Sequence, residues 1–330
     1  MGERPPEPIN PQPVLQDVAE RFRRLREQLS RVIIGQERVL DEMLLTLLCG
    51  GHGLLEGVPG TAKTLAVRAL AMGLSCDAKR IQFTPDIMPS DIVGTNVFNL
   101  AKNTFELRTG PIFTDLLLGD EINRAPAKTQ SALLEGMAER QVTIDGVRYP
   151  LSPVFTVFAT QNPVEFEGTY PLPEAQQDRF LLKIKIDYPP EEAERRILQA
   201  FDGGRPPDRL VPGTIEPVFT VASLVEAQAA LRHVRVERGV MDYVLKIVRS
   251  TREHEAILLG AGPRGSIFLL LTSKGRALLQ GRDFVTPDDV VATVRPVLAH
   301  RITLTADAEI QGTTVDEVLQ SILDKIEVPR

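Results

Sequence analysis

A glycine-rich turn joins a short apolar segment to a helix-forming segment near the start of the sequence. The apolar segment is residues 52–56, the turn is Gly57-Val-Pro-Gly60, and the helical pattern begins at Ala62 or Lys63. A strand that passes through such a turn into a helix points backbone N–H groups and the positive end of the helix dipole at one spot. That spot suits polyphosphate, with Lys63 placed to contact phosphate oxygens and Thr64 to bind Mg²⁺. The sequence therefore predicts an α/β sheet with a nucleotide phosphate site at its edge.

One residue of this turn departs from the usual phosphate-binding pattern. Ala62 stands immediately before Lys63, where glycine is the common residue. Alanine is compatible with the start of a helix, so we expect the loop to keep its shape. The alternative is a plain strand–turn–helix whose glycines only make the turn tight. The residues predicted to surround the phosphates are Gly57, Val58, Pro59, Gly60, Thr61, Ala62, Lys63 and Thr64.

Two adjacent carboxylates follow a later apolar segment. Residues 113–119 are predicted to form a strand, and Asp120 and Glu121 come directly after it. Acids at the carboxyl end of a parallel strand lie in the ligand crevice of an open α/β sheet. Asp120 can hold Mg²⁺ together with Thr64, and Glu121 can orient and polarise a water molecule for attack on a terminal phosphate. Two ordinary surface acids are the alternative, which the preceding phosphate loop makes the weaker interpretation.

A third predicted strand, residues 154–160, also ends in polar residues. Gln161 and Asn162 follow it. A polar side chain at this strand tip, beside the acid-bearing strand, can hydrogen-bond the γ-phosphate or the attacking water. We select Asn162 for this role and keep Gln161 as the alternative, although a residue before proline also suits an ordinary turn.

The hydrophobic periodicity divides the chain into three parts. Residues 1–13 contain five prolines and predict a flexible arm, residues 14–202 alternate short apolar strands with helices, and residues 203–330 are almost entirely helical in pattern. We therefore predict a parallel sheet with helices on both faces, followed by a small helical domain. Two predicted hairpins, residues 94–107 and 141–149, interrupt the first domain.

The individual elements are assigned from the same periodicity. Strands are predicted at residues 52–56, 80–83, 113–119, 154–160, 181–186 and 301–304. Helices are predicted near residues 14–29, 36–48, 62–71, 127–140, 191–201, 220–231, 237–251, 264–281, 286–297 and 313–326.

The composition argues against a nucleic-acid-binding or membrane-spanning protein. Lys and Arg number 38 against 44 Asp and Glu, which gives a net charge of −6, and the chain has no Trp. No apolar run approaches the ~18 residues that a membrane span needs, and the amino terminus lacks the apolar segment of a secretory signal. Cys49 and Cys76 have no metal-type spacing and favour a reducing compartment, so we predict a cytoplasmic protein. The four histidines are scattered, and we assign no metal site to protein side chains alone.

Several further segments, taken in order with the phosphate loop, resemble the MoxR family of AAA+ ATPases. The segments that carry the resemblance are Ile33-Ile-Gly-Gln36, Glu56–Thr64, Asp120–Gln130, Glu135–Gly146, Gln161-Asn-Pro163, Glu167–Ala175 and Gly260-Ala-Gly-Pro-Arg264. The resemblance implies an AAA+ αβα core with a C-terminal helical lid. It also implies Mg²⁺-dependent ATP hydrolysis in a ring oligomer, usually a hexamer, that remodels or activates client proteins, often for cofactor or metal insertion.

The same resemblance implies roles for residues outside the phosphate loop. Ile33, Ile34, Gly35 and Gln36 would flank the adenine. Asn162 matches the first sensor, Arg179 matches the arginine finger, and Arg264 matches the second sensor of the lid.

The residues themselves give partial support for the two arginines. Arg179 lies at an element boundary before a predicted strand, from which it could reach a neighbouring subunit's phosphate in a head-to-tail ring. A structural ion pair is its alternative. Arg264 follows Gly262-Pro263, a plausible helix start. An arginine in a first helical turn opposes the helix dipole, and a nearby phosphate would offset that cost.

Four functions remain open from the sequence. The first is an ATP-hydrolysing chaperone that acts on a client protein and is stimulated by the client or by a von Willebrand-type adaptor protein. The second is a magnesium-chelatase-like ATPase subunit, and the third is a DNA-directed motor, against which the negative charge and low aromatic content count. The fourth is a non-hydrolysing scaffold, which the intact set of charged residues disfavours.

Overall fold

The computed structural model describes residues 12–57, 61–161, 170–204, 210 and 213–329. Its strands are β1 (Gly53–Gly57), β2 (Ala78–Gln82), β3 (Gly94–Asn99), β4 (Thr104–Thr109), β5 (Leu116–Asp120), β6 (Gln141–Ile144), β7 (Val147–Pro150), β8 (Thr156–Gln161), β9 (Leu182–Ile186), β10 (Ile257–Leu259) and β11 (Thr303–Leu304).

The helices follow the predicted pattern closely. They are α1 (Gln12–Ser30), α2 (Glu37–Leu48), α3 (Lys63–Gly73), α4 (Pro89–Val93), α5 (Ala127–Glu139), α6 (Glu174–Gln177), α7 (Glu191–Asp202), α8 (Val221–Ala230), α9 (Arg238–Glu253), α10 (Pro263–Leu279), α11 (Pro287–Leu298), α12 (Ala306–Ile310) and α13 (Val315–Lys325). Since α1 begins at Gln12, the last two residues of the predicted arm are helical, and the rest of the arm lies outside the described residues.

Five strands form one parallel sheet in the order β2-β5-β8-β1-β9. The three central strands, β1, β5 and β8, are almost continuously buried because helices cover both faces of the sheet, whereas the edge strands β2 and β9 have exposed positions. All five strands run the same way, so their carboxyl ends meet at one edge of the sheet. That edge holds the ends of β1, β5 and β8, which carry the predicted site residues.

Several predicted element boundaries were wrong. The strand predicted at 113–119 begins only at Leu116, because the chain turns at Phe113 and Thr114, whose N–H groups bond to Gly110 and Ile112 carbonyls. The strand predicted at 301–304 contains only Thr303 and Leu304. Its first residue, Arg301, instead lies in a short 3₁₀ turn that follows α11.

Both predicted hairpins are present. β3 pairs with β4 and β6 pairs with β7, each antiparallel. Asp145 and Gly146 at the tip of the second hairpin have φ values of 49° and 80°, the left-handed pair that a two-residue hairpin turn requires. Asn96 of β3 donates a hydrogen bond to Asp145, which ties the two hairpins together.

The helical lid shares a core with the first part of the chain. One cluster of buried side chains extends from α1 and α2 through the sheet to α10, α11 and α13. Gly275 of α10 lies so close to α2 that a Cβ atom there would be 2.6 Å from Leu45. Cys49 donates its thiol to the Leu271 carbonyl at 3.6 Å. Among the described residues, no helix combines the length and the apolarity that crossing a membrane requires.

A buried carboxylate, Glu42 of α2, lies beside this shared core. Its side chain is 14% exposed and receives a hydrogen bond from Arg38 at 3.3 Å, while its Oε2 has no partner among the described residues. Burial raises the pKa of Glu42 to about 7, and Arg38 opposes that rise only in part. Between about pH 4.5 and pH 7, Glu42 is therefore protonated in the folded protein and ionised in the unfolded chain.

We expect Glu42→Gln to stabilise the protein above pH 7 and to do so less at pH 5. The folded pKa exceeds the unfolded one, so the Glu42 contribution to the free energy of unfolding falls as pH rises from about 4.5 to 7. Gln is neutral throughout, and the gain at pH 8 should be on the order of 1–3 kcal/mol. Urea unfolding at pH 5 and pH 8 measures it, with the exposed Glu37→Gln on the same helix as control. A gain that is equal at the two pH values would contradict the raised pKa.

Candidate active site

β1 ends and α3 begins at the two positions between which the sequence predicts the phosphate loop. Gly57 ends β1 and α3 begins at Lys63, whose Nζ donates to the Gly57 carbonyl at 2.6 Å. Val58, Pro59 and Gly60 lie outside the described residues. Burial lowers the pKa of Lys63, while the charges of Asp120 and Glu121 act to raise it. Thr64, the predicted Mg²⁺ ligand, is half-buried in the first turn of the helix.

Ala62 does not take the helical conformation expected for it. It precedes the helix with φ 60° and ψ 21°, in the left-handed region. An L-residue pays roughly 1–2 kcal/mol for this conformation, whereas glycine does not. Glycine is therefore common at this position because it adopts a positive φ at little cost. In this chain Ala62 adopts the same left-handed conformation.

Asp120 ends β5 at the carboxyl edge of the sheet, held by two neighbours. Arg80 of β2 forms an ion pair with its Oδ2 at 2.7 Å. The hydroxyl of Thr160, on β8, donates to its Oδ1 at 2.6 Å. Because β5 lies between β2 and β8, these partners fix the carboxylate from both sides.

Glu121 has a left-handed backbone, with φ 59° and ψ 49°. Its N–H donates to Thr160 Oγ1 at 2.9 Å, so one hydroxyl orients both acids. Its carboxylate accepts from Gln82 at 2.8 Å and pairs with Arg124 at 3.1 Å. A strained conformation of this kind persists only where surrounding contacts impose it, and such positions cluster at functional sites.

The oxygen atoms at this edge fit a magnesium ion that arrives with a nucleotide. Mg²⁺ prefers carboxylate, hydroxyl and phosphate oxygens, and Asp120 and Thr64 offer the first two. Arg80 supplies the positive charge beside Asp120 in the present structure. Within the described ranges, no group of three or more His, Cys, Asp or Glu side chains could hold a metal by itself.

The two residues considered for the tip of β8 are Gln161 and Asn162, and only Gln161 is among the described residues. Gln161 donates to Glu56 at 2.8 Å, and Glu56 also pairs with Lys183 at 2.8 Å, so Gln161 takes part in a link across β8, β1 and β9. Asn162, predicted as the first sensor, lies outside the described residues.

The segment predicted to flank adenine lies between α1 and α2. Ile33 is 3% exposed and packs in the core, whereas Ile34, Gly35 and Gln36 are half-buried. Gly35 has φ 77°, and a Cβ atom there would lie 2.4 Å from that of Ala193 in α7. Gln36 donates to the Asp187 carbonyl at 2.9 Å. Gly35 and Gln36 line a cleft of about 230 Å³ that also includes Tyr188.

The two arginines assigned from the resemblance lie at the opposite edge of the sheet. Leu182 pairs with Gly53 and Ile186 with Gly57, so the segment before Leu182 lies at the amino end of β1. Arg179, in that segment, donates to the Leu134 carbonyl at 2.6 Å. Arg264 is paired at 2.8 Å with Asp178, the neighbour of Arg179. At ~3.3 Å per residue, about 13 Å of strand separates this level from the phosphate loop.

Sequence reasoning missed five residues that this structure places around the predicted ones. They are Arg80, Gln82, Thr160, Asp178 and Arg301. The first three are polar residues on the strands beside β5, and the sequence analysis did not assign the strand order that brings them next to Asp120 and Glu121. The last two meet across 123 residues of sequence, for which a single sequence offers no signal.

Comparisons with known proteins agree with this fold. A family model described as "ATPase family associated with various cellular activities (AAA)" matches residues 52–182, and one described as "AAA lid domain" matches residues 249–322. The fold and the site thus define an AAA-type ATPase core with its lid.

Two relatives and one solved structure narrow the class. The chain is 42% identical to Chaperone MoxR1 of Mycobacterium tuberculosis, over 92% of this chain and 81% of that protein. It is 43% identical to the uncharacterized protein YeaC of Bacillus subtilis, over 92% and 93% of the two chains. The crystal structure of a "putative ATPase" from Cytophaga hutchinsonii superposes with a TM-score of 0.87 at 37% identity, covering 96% of this chain and 97% of the other. The chain belongs to the MoxR family of AAA+ ATPases.

Proposed function

We propose that the protein is a cytoplasmic ring ATPase that hydrolyses ATP with Mg²⁺ and uses the energy to remodel or activate client proteins. The observation that carries the proposal is the position of Lys63, Asp120 and Glu121, which lie just after or at the carboxyl ends of the parallel strands β1 and β5, at one edge of the sheet. The relationship to Chaperone MoxR1 supports the client-directed role.

Each residue at this edge has a task in phosphoryl transfer. Lys63 leaves the Gly57 carbonyl to bind β- and γ-phosphate oxygens, and Asp120 with Thr64 holds the magnesium ion. The ion neutralises charge on the phosphates when bound. Glu121 orients a water molecule in line with the γ-phosphate and polarises it. Gln82 and Arg124 hold the Glu121 carboxylate, so they help to set its direction toward the water.

The arginines at the opposite edge favour catalysis between subunits. Arg179 and Arg264 lie about one strand length from their own phosphate loop, too far to serve its γ-phosphate without a large movement. In a head-to-tail ring the amino edge of one subunit can meet the carboxyl edge of the next. Both arginines then stabilise the transition state in the neighbouring pocket, as arginine fingers do. We propose that repetition of this head-to-tail contact closes into a hexameric ring.

The paired hairpins are the proposed contact with a client or an adaptor protein of the von Willebrand type. Phe98 and Phe105 pack edge to face at 5.1 Å between ring centroids, yet Phe105 is 72% exposed. Leu100 at the same tip is 86% exposed. Apolar side chains exposed together on a projecting element favour contact with another protein.

Assembly should control turnover if the finger acts between subunits. We expect ATPase activity per subunit to rise with protein concentration until rings predominate, and ATP to favour rings. Light scattering with ATP, on a variant that binds but does not hydrolyse, measures the assembly. Lys63→Ala serves as the control that cannot respond to ATP. A strictly monomeric protein whose specific activity is independent of concentration would contradict the ring.

A further inference from the structure

A buried arginine, Arg301, anchors the segment that carries Arg179. Its side chain is 1% exposed, and its Nε donates to Asp178 Oδ1 at 2.9 Å. Its other nitrogens donate to the backbone carbonyls of Asp178, Phe180 and Leu181. Burial lowers the pKa of Arg301 to about 10, and the Asp178 carboxylate opposes that shift, so the group stays charged at neutral pH. A buried charge of this kind is tolerated only with a partner, and Asp178 is that partner.

Asp178 also holds the arginine of the lid. Its Oδ2 accepts from Arg264 Nη1 at 2.8 Å, while its Oδ1 is bound to Arg301. The Asp178 side chain is 30% exposed and that of Arg264 is 48% exposed. One carboxylate thus faces two guanidinium groups, one buried and one open to solvent, and the cluster keeps a net positive charge at the surface beside Arg179.

A free Arg264 would sample many rotamers, because a long arginine side chain has several rotatable bonds and loses conformational entropy when it is ordered. Asp178 removes that freedom before any partner arrives. Asp178 immediately precedes Arg179 in the sequence. The same stretch of backbone therefore positions Arg179 and the carboxylate that binds Arg264. The two arginines are therefore fixed relative to each other although they come from different domains.

We infer that Asp178, anchored on buried Arg301, is a positioning residue that holds Arg264 beside Arg179 so that one subunit delivers both arginines to its neighbour's nucleotide. The inference rests on the proposed function, since it concerns the same hydrolysis site. Substitution of Asp178 should therefore lower turnover although Asp178 does not touch the nucleotide, and it should leave nucleotide binding in its own subunit unaltered.

The first test is kinetic. Asp178→Asn should lower kcat by about ten- to a hundredfold, the size expected when catalytic groups are misplaced by about 1 Å. Its ATP affinity, measured with a fluorescent ATP analogue, should stay within about twofold, and Asp178→Glu should recover most of the lost kcat. Asp316→Asn is the matched control, because Asp316 forms an ion pair of 2.8 Å with Lys185 that also joins core to lid, away from the arginines. It should leave kcat unchanged.

The second test uses mixed rings. Mixing Asp178→Asn with Lys63→Ala should restore activity, because some interfaces join an intact pocket to an intact set of arginines. Mixing Arg179→Ala with Arg264→Ala should restore none, because every interface then lacks one arginine. This second mixture leaves Asp178 unaltered, so it tests the joint delivery even where Asp178→Asn fails to fold.

The outcomes separate this inference from the proposed function. Absence of ATP hydrolysis by the unmodified protein rejects the function itself. If the unmodified protein hydrolyses ATP normally, three results overturn the role of Asp178. They are weakened ATP binding by Asp178→Asn, an unchanged kcat of Asp178→Asn, and recovery of activity in the mixture of Arg179→Ala with Arg264→Ala. Equal losses in Asp178→Asn and Asp316→Asn would also overturn it, because they would reflect core–lid packing alone.

Discussion

Glu121→Gln will bind ATP about as tightly as the unmodified protein and hydrolyse it at least a hundredfold more slowly. The amide keeps the shape of the carboxylate, so phosphate binding through Lys63 is preserved, but it cannot polarise the attacking water. Lys63→Ala will instead lose ATP binding, because it removes the ammonium group that meets the β- and γ-phosphates. Nucleotide affinity and turnover, measured on both variants, distinguish the two roles.

Glu139→Gln provides the control for this experiment. Glu139 ends α5 and is exposed at its surface, so the same chemical change there should leave turnover within about twofold. A Glu121→Gln protein with ordinary turnover would remove Glu121 from its assigned role, and one that fails to bind ATP would show that the carboxylate shapes the pocket rather than activates water.

Two nearly inactive variants, Lys63→Ala and Arg179→Ala, will regain activity when mixed. Each Arg179→Ala ring fails because every pocket lacks its finger, and each Lys63→Ala ring fails because every pocket lacks nucleotide. In random equimolar rings, about a quarter of interfaces join an intact pocket to an intact finger. Turnover should therefore rise toward about a quarter of the unmodified value, and coupling around the ring would reduce that fraction.

The mixing experiment depends on subunit exchange, which is verified first with differently tagged copies of each variant. An Arg179→Ala protein that assembles and exchanges normally, and yet shows no recovery on mixing, would place Arg179 in its own subunit's pocket or in the fold. The position of Arg179 before the amino end of β9, about one strand length from Lys63 of its own chain, favours recovery.

The parts of the site that depend on neighbouring residues could be predicted from the sequence. The end of β1, the start of α3 and the end of β5 lie within one residue of their predicted positions, because each carries a characteristic local pattern. The left-handed conformations of Ala62 and Glu121 could not be predicted, since neither residue type prefers them and tertiary contacts impose them. Both hairpins were found because Asp145-Gly146 and the turn at Asn103 carry their own turn chemistry.

The long-range parts of the site had no comparable signal. Arg301 was predicted to begin a strand because its neighbours are apolar or β-branched. Its true environment, a buried ion pair with Asp178, depends on how the lid packs on the core. Arg264 was assigned to a phosphate from the resemblance and from its place in the first turn of α10, and its ion pair with Asp178 is a contact that the sequence did not indicate.

The core shared by α1, α2 and α10 has a mechanical consequence. Gly275 packs directly on Leu45, so a hinge between the lid and the rest of the same chain would have to break a continuous apolar contact. We expect each subunit to move as a stiff lever in which the lid follows its own α1 and α2. In the proposed ring, we expect the junctions between chains to be the most compliant contacts, and the work of each ATP hydrolysis event to appear as rotation of one whole subunit against the next.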